Sequence, residues 1–234
     1  MMGPIKPRPN AVHGADTRMN ARKPSERQVL GAESRAAILD AAEALMARRG
    51  FIGTSISALQ AECGLPASSI YWHFNSKEGV LAAVMERGAN NFFAKVDSIR
   101  IPPATLGRDR LRAQLAGASV AIEQHTDFLR LFVLLMLTGK AEKAVQRVRT
   151  EGRTRLHHLL ATAYPKRNGA ANVALADEMA DVLLAMFDGV FLAVQNNPRL
   201  RYAHLLAQVA EAASLLAEGW LRPRTRPARG PQAR

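Results

Sequence analysis

Apolar residues recur at helical spacing through most of the chain, and this pattern constrains the fold more than any other feature. The clearest stretch follows Ser34, where apolar residues lie three and four positions apart: Ile38, Ala41, Ala42, Leu45 and Met46. Such spacing places these side chains on one face of a helix. No segment shows the alternation of apolar and polar residues that is typical of a half-buried strand. The sequence therefore predicts an all-α protein whose first helix is capped by Ser34 and ended by Gly50.

Two short helices separated by a tight turn are predicted next. Thr54 or Ser55 is suited to cap the first of them, and Gly64 supplies the turn. Pro66 is predicted in the first turn of the following helix, where its missing N–H has no intrahelical partner to lose. Residues 75–78 resemble a capping box, with asparagine as the cap of a fourth helix that continues to about residue 93.

The rest of the chain is predicted to form a larger helical domain. Five helices are expected, over residues 105–124, 127–139, 141–163, 174–195 and 199–220. The proline pair in "IPP", residues 101–103, marks the break between this part and the first helices. We therefore expect a first domain over residues 31–95 and a second over residues 96–221.

The two ends of the chain differ from this helical middle. Residues 1–30 are rich in proline, lack apolar periodicity and carry six basic residues against two acidic ones, a net charge of +4. Residues 222–234 carry five arginines and no acidic residue. These segments are predicted to be a flexible basic arm and a flexible basic tail. Together they hold most of the chain's net charge of +12, so the charge alone is weak evidence for nucleic-acid binding.

Several classes of function are disfavoured by the composition. A single cysteine excludes a disulfide framework. The most apolar run, "FLRLFVLLML" at residues 128–137, is too short to cross a bilayer, and no secretory signal is visible. We therefore expect a cytoplasmic protein with no membrane partner. We expect neither enzymatic activity nor a cofactor, because there is no nucleophile–base constellation or phosphate loop. No metal site is expected either, because His157 and His158 are adjacent and diverge on a helix.

The helix, turn and helix over residues 55–74 have the geometry that places a second helix in the major groove of DNA. Leu65 and Ile70 are suited to anchor the inner side of the second helix. Small residues face outward and allow the backbone to approach base edges closely: Ala67, Ser68 and Ser69. Tyr71, His73 and Lys77 are suited to contact phosphate oxygens.

Residues 34–81 resemble the DNA-binding domain of the TetR family of bacterial transcriptional regulators. The matching segments are "ILDAAEALMARRGF", "TSISALQAECGL" and "SSIYWHFNSKEGVL". The resemblance implies an N-terminal three-helix helix-turn-helix domain followed by a larger ligand-binding and dimerisation domain. It also implies phosphate contacts from Thr54 and Ser55. The full set of expected DNA-binding residues is Thr54, Ser55, Pro66, Ala67, Ser68, Ser69, Tyr71, Trp72, His73 and Lys77.

The first domain departs from the family in two residues and has no net charge. Gln60 replaces a small residue, and Ala67 stands where many members carry a longer polar or basic side chain. Residues 31–95 contain six basic and six acidic residues. We hypothesise that the N-terminal arm supplies part of the missing positive charge, so deletion of residues 1–28 should flatten the salt dependence of DNA binding. The alternative is an extension with no role.

For the second domain, the resemblance implies an effector pocket and a dimer interface. The expected pocket residues are Gln124, His125, Phe128, Phe132, Met136, Met186, Phe187 and Phe191. Ordinary core packing is the better explanation of each apolar residue taken singly, and only the group indicates a cavity. Homodimerisation is expected through the last two helices. The resulting hypothesis is a dimeric repressor of a palindromic operator, released by an unknown small molecule. The alternatives are a ligand-independent regulator or activator with the same helix-turn-helix, and an enzyme or partner-binding protein whose helix-turn-helix is vestigial.

Overall fold

The computed structural model describes residues 25–166 and 171–221. The predicted tail, residues 1–24 of the predicted arm and part of the predicted break at "YPKRNG" lie outside the described residues. The described residues form nine α-helices and no strand, as expected for an all-α protein. The helices are α1 (Glu26–Arg49), α2 (Ile56–Cys63), α3 (Ala67–Phe74), α4 (Lys77–Asp97), α5 (Gly107–Gln124), α6 (Thr126–Thr138), α7 (Glu142–Ala163), α8 (Val173–Asn196) and α9 (Tyr202–Leu221).

Helix α1 begins nine residues earlier than the sequence pattern predicts. Ser25 is its cap, and a capping box joins Ser25 to Gln28: the Gln28 N–H donates to Ser25 Oγ at 3.3 Å, and the Ser25 N–H donates to Gln28 Oε1 at 2.8 Å. Ser34, the predicted cap, lies inside the helix, where its hydroxyl donates to the Leu30 carbonyl at 2.8 Å. The first three turns are largely exposed, so they carry no apolar stripe from which periodicity could have found them.

The caps of the next helices correct two further predictions. Ser55 caps α2, with its Oγ accepting from the Ala58 N–H at 3.1 Å. Pro66 is the residue that precedes α3 rather than a member of its first turn. Asn75 ends α3 with a φ of 60°, and Ser76 is the cap of α4 in place of the predicted asparagine. The tight turn at Gly64 is confirmed, with a left-handed φ of 70°.

Helix α4 belongs to both halves of the molecule. Helices α1 to α4 pack together, and α1 and α4 both also pack on α6. In the second half, α5 packs on α9 and α7 packs on α8. The five predicted helices of this half are confirmed, with ends that differ from the predicted ones by three residues or fewer. Because α4 continues to Asp97, the predicted boundary between residues 95 and 96 falls inside a helix.

Two close contacts fix α4 against its neighbours. The Arg87 guanidinium donates to Asp40 at 2.7 Å and to Glu43 at 2.9 Å, both on α1. Gly88 faces the fully buried Phe128 of α6, and a Cβ at this position would lie 2.3 Å from the Phe128 ring. The glycine therefore allows α4 and α6 to approach closely. Within the described residues, no helix combines the length and apolarity that crossing a bilayer requires.

Candidate nucleic-acid interface and internal cavity

Helix α3 presents a polar, small-residue face to solvent. Ile70 and Phe74 are buried and attach α3 to the core of helices α1, α2 and α4. On the opposite side, Ser68 is exposed, Tyr71 is 49% exposed and Trp72 is 75% exposed. Aromatic side chains that are this exposed lie outside the core and are available to a binding partner.

The other predicted residues of α3 lie beside this face. Ala67, Ser69 and His73 are half-buried, and Pro66 is exposed at the start of the helix. The exposed face and these flanking residues therefore form one continuous surface, which we call the α3 surface: Pro66, Ala67, Ser68, Ser69, Tyr71, Trp72 and His73. Ser55 is also exposed, at the start of α2.

Thr54 does not reach the surface, contrary to the sequence-based expectation. Its side chain is fully buried, and its hydroxyl donates to the Gly50 carbonyl at 2.9 Å. The hydroxyl thus satisfies a carbonyl at the end of α1 that has no partner within the helix. Ser55, the next residue, takes the exposed position and caps α2.

Lys77 also differs from its predicted role as a phosphate contact. Its ammonium donates to the Phe51 carbonyl and to the Thr54 carbonyl, each at 3.0 Å, and lies 4.3 Å from the centre of the Phe51 ring. Two of its three N–H donors are therefore used inside the protein. The lysine holds the connection between α1 and α2 against the start of α4.

The early start of α1 brings residues to the α3 surface that the sequence analysis missed. Arg27, Gln28, Gly31 and Arg35 lie on the side of α1 that lines a shallow hollow with Trp72 and His73. Arg27 and Arg35 form no ion pair with another described residue. The signal that could have revealed them is the serine and glutamine three residues apart, Ser25 and Gln28, which together form a capping box.

His73 contacts the Trp72 ring and lines the same hollow as Arg35. Its ring lies 4.5 Å from the Trp72 ring, in an edge-on arrangement. Burial, and then the nearby positive charge of Arg35, lower the pKa of His73 below its ordinary value. A phosphate placed between His73 and Arg35 would oppose this shift, because a negative charge favours the protonated ring.

A cavity of about 680 Å³ lies between helices α4, α5, α6, α7 and α8. Its lining is mainly apolar and includes five aromatic rings: Phe92, Phe93, Phe132, Phe187 and Phe191. The last three were among the predicted pocket residues. The volume falls within the range of about 300–1,000 Å³ that is usual for small-molecule sites.

The other five predicted pocket residues lie outside this lining. Phe128 is buried against Gly88 between α6 and α4, and Met136 faces Arg149, whose Nη1 lies 3.3 Å from its Sδ. Met186 is half-buried against the core, and Gln124 is exposed at the end of α5. His125 stacks edge-on against Phe92, outside the cavity. Helical periodicity finds the inward face of a helix, but it does not separate cavity wall from solid core.

Five charged residues line the cavity: Asp97, Arg110, Arg149, Arg155 and Asp188. The Arg149 guanidinium lies 3.1 Å from the Asp188 carboxylate. The Arg155 guanidinium donates twice to the Asp97 carboxylate, at 2.9 and 2.8 Å, and lies over the Phe93 ring. Among the described residues, the Arg110 guanidinium donates to two neutral acceptors, Thr162 Oγ1 and the Thr105 carbonyl.

Histidine positions in the described ranges give no sign of a metal centre. His157 lies 3.2 Å from Asp177, whereas its neighbour His158 belongs to the cavity lining. Across residues 25–166 and 171–221, no group of three His, Cys, Asp or Glu side chains is arranged to hold a metal ion.

The α3 surface and its supporting helices match a known family. Residues 38–84 match the family model described as bacterial regulatory proteins, tetR family. Over these residues the chain is similar to the tetR family. It is also similar to YerO of Bacillus subtilis (strain 168), an uncharacterised helix-turn-helix transcriptional regulator, with 27% identity over 106 residues. That alignment covers 43% of this chain and 35% of the relative, so the chain matches about a third of the length of that regulator.

Solved structures of regulators share the whole fold. A TetR-like regulator from Rhodococcus sp. RHA1 has 22% identity and a TM-score of 0.63, covering 80% of this chain and 97% of that one. A regulator from Aquifex aeolicus VF5 has 16% identity and a TM-score of 0.62, covering 78% and 99%. SmeT, the repressor of the Stenotrophomonas maltophilia multidrug efflux pump SmeDEF, has 25% identity and a TM-score of 0.59, covering 78% and 89%. The described helices therefore have the tetR-family fold, including the second half.

Proposed function

We propose that this protein is a dimeric transcriptional repressor of the tetR family that binds a palindromic operator and is released from it by a small molecule. The observation that carries the proposal is the α3 surface, where small polar residues and two exposed aromatic rings stand on a helix fixed by Ile70 and Phe74. A helix of this kind fits the major groove, because its backbone can approach base edges. Such a regulator would act in the cytoplasm.

Within this proposal, the residues of the α3 surface divide into two roles. Ser68 and Ser69 would contact base edges, because a serine hydroxyl both donates and accepts hydrogen bonds. Tyr71, His73 and Ser55 would bind phosphate oxygens and set the position of the helix. Trp72 would lie beside the groove, and Arg35 would add a phosphate contact from α1.

Dimerisation is supported by the outer face of α8 and α9. This face carries exposed apolar residues, including Leu215 at 63% and Leu216 at 50% exposure. On α8, small and apolar exposed residues follow one another at helical spacing: Val182, Ala185, Gly189 and Leu192. Such a face suits close packing against the same face of a second copy. A two-fold dimer would place two α3 helices in successive major grooves, about 34 Å apart.

Release by a ligand is supported by the position of α4, which connects the DNA-binding helices to the cavity. Its start holds the connection between α1 and α2 through Lys77, and its end contributes Phe92 and Phe93 to the cavity. A ligand that binds one position of α4 more tightly would shift the dimer toward conformers whose α3 helices no longer match the operator. A ligand-independent regulator would leave this cavity without a role.

Selection of bound fragments from random DNA tests the DNA-binding role. We expect a palindrome to be enriched. Ser69→Ala should change the preference at one base position in each half-site, whereas Ser98→Ala, at the exposed end of α4, should not. Enrichment of no sequence by the wild-type protein would contradict the proposal, and transcription from a promoter carrying the selected site should fall when the protein is added.

Sedimentation of a charged variant tests the dimer. Gly189→Glu should convert dimer to monomer and remove binding to the full palindrome, because it buries a carboxylate in an apolar interface. Ala113→Glu, at an exposed position on α5, is the matched control and should remain dimeric. A Gly189→Glu protein that stays dimeric would place the interface elsewhere.

A further inference from the structure

Three arginines lie on α5 at alternate positions, and the middle one has a different environment from the others. Arg108 and Arg112 both form an ion pair with Glu211 of α9, the first at 3.3 Å. They are four residues apart and therefore share one side of the helix. Arg110 is rotated from Arg108 by about 200° around the helix axis. It consequently faces away from α9 and lines the cavity.

Arg110 is oriented by neutral groups. Its Nε donates to Thr162 Oγ1 at 3.2 Å, and its Nη1 donates to the Thr105 carbonyl at 3.4 Å. The Thr162 hydroxyl donates to the His158 carbonyl at 2.8 Å, which leaves its oxygen to accept from Arg110. No carboxylate of the described residues lies within ion-pair distance of Arg110. The guanidinium is therefore held in place while its charge remains uncompensated.

The other four charged side chains of the cavity form two ion pairs. Arg149 pairs with Asp188, and Arg155 pairs with Asp97 through two hydrogen bonds. The lining thus contains three arginines against two aspartates, and the excess charge is located at Arg110. A cationic ligand would have to break an existing ion pair to reach a carboxylate. An anionic ligand would find a positioned guanidinium that has no carboxylate partner among the described residues.

We propose that the cavity binds a ligand with an apolar body and a single negative charge, such as a carboxylate, and that Arg110 binds this charge. The aromatic rings of the lining would contact the apolar body. Gln114, one turn after Arg110 on α5 and also in the lining, would donate a second, neutral hydrogen bond. This inference rests on the proposed role of the cavity as the effector site, and it specifies the chemical class of the effector.

Calorimetric titration with three ligands of equal chain length tests the inference. The ligands are decanoate, decanol and decylammonium, which share a ten-carbon chain and carry an anionic, a neutral and a cationic head group. The wild-type protein should bind decanoate about tenfold or more tightly than either of the others, because a charge-assisted hydrogen bond is stronger than a neutral one. Arg110→Gln should abolish the preference, and Arg110→Lys should keep part of it. Arg112→Gln, on the other side of the same helix, should leave it unchanged.

Three results would overturn the inference. They are equal binding of decanol, tighter binding of decylammonium, or no binding of any ligand. The wild-type comparison needs no variant, so a poorly folded Arg110→Gln protein would not prevent the test.

Binding of the selected operator, measured on the same samples by fluorescence anisotropy, separates this inference from the proposed function. If decanoate is preferred but operator affinity does not change, release by a ligand is contradicted while the charge preference stands. If the operator is bound and no ligand shows the preference, DNA binding stands and the inference fails.

Discussion

Basic side chains lie on the helices beside the α3 surface and in the cavity, but the charges of the two regions have different neighbours. On α4, Lys77 donates to backbone carbonyls and Arg87 pairs with two acids of α1. Arg27 and Arg35 form no ion pair with a described residue and stand at the solvent-exposed edge. In the cavity, two arginines are paired inside the molecule, and Arg110 alone faces neutral partners.

This comparison shows that the presence of a basic residue says little about anion binding until its neighbours are known. A cation that pairs with carboxylates, or that uses most of its N–H donors inside the protein as Lys77 does, acts as part of the scaffold. Arg110 has no carboxylate partner among the described residues and uses two of its five N–H donors, so it retains both charge and donors for a ligand. By this criterion, Arg27 and Arg35 of α1 are expected to bind phosphates at the surface, and Arg110 is expected to bind a small anion inside.

The largest expected effect concerns α4, which packs on α3 and also lines the cavity. Gly88→Ala places a Cβ 2.3 Å from the buried Phe128 ring, and the strain should lower the free energy of unfolding by about 2–3 kcal/mol. Chemical denaturation measures the loss. Gly31→Ala, where no atom lies within 4 Å of the new Cβ, is the control and should be neutral or stabilising. Equal stability of the two variants would mean that α4 and α6 separate without cost.

A slightly smaller effect is expected for the lysine at the start of α4. Lys77→Met removes two hydrogen bonds to backbone carbonyls and should lower the free energy of unfolding by about 2 kcal/mol. The salt dependence of operator binding should not change, because the Lys77 ammonium donates to carbonyls inside the protein and not to a phosphate. Lys95→Met, which removes a charge near the other end of α4, is the matched control. A reduced salt dependence with normal stability would restore the phosphate contact expected from sequence.

Arg35 should show the opposite behaviour. Arg35→Gln should weaken operator binding by about 1 kcal/mol at low salt and reduce the slope of log affinity against log salt by about one. Stability should change little. Arg48→Gln removes an arginine that pairs with Glu62 at 3.5 Å and should leave the slope as it is. If the two variants have the same slope, ion pairing with a described carboxylate does not decide which arginines of α1 contribute to DNA binding.

The smallest expected effect is a pH dependence of operator binding. A phosphate near His73 favours the protonated ring, so binding should take up a proton and strengthen a few-fold as the pH falls. Since burial and Arg35 lower the pKa of His73 in the free protein, the increase should occur at mildly acidic rather than neutral pH. It should level off below the lowered pKa. His73→Gln should remove this dependence, and His158→Gln, outside the α3 surface, should retain it.

The sequence predicted the short-range features of the α3 surface well, because they depend on residues close together in the chain. Gly64 forms the predicted turn, and Ser68, Tyr71 and Trp72 are exposed as expected. The early turns of α1 were missed because their residues are exposed and have no apolar period. Among the predicted pocket residues, Phe132 lines the cavity and Phe128 does not, although both lie on the buried side of α6.

The sequence by itself determined the helical class, the positions of most helices and the polar outer face of α3. Each of these follows from spacing within a few residues, where backbone geometry leaves little choice. Only the tertiary structure decided that Thr54 is buried, that the Lys77 ammonium is used by carbonyls 23 and 26 residues away, and that Arg110 lies opposite neutral partners. The environment of a charge depends on groups that are distant in the sequence but close in space. Only the packing of the helices brings those groups together.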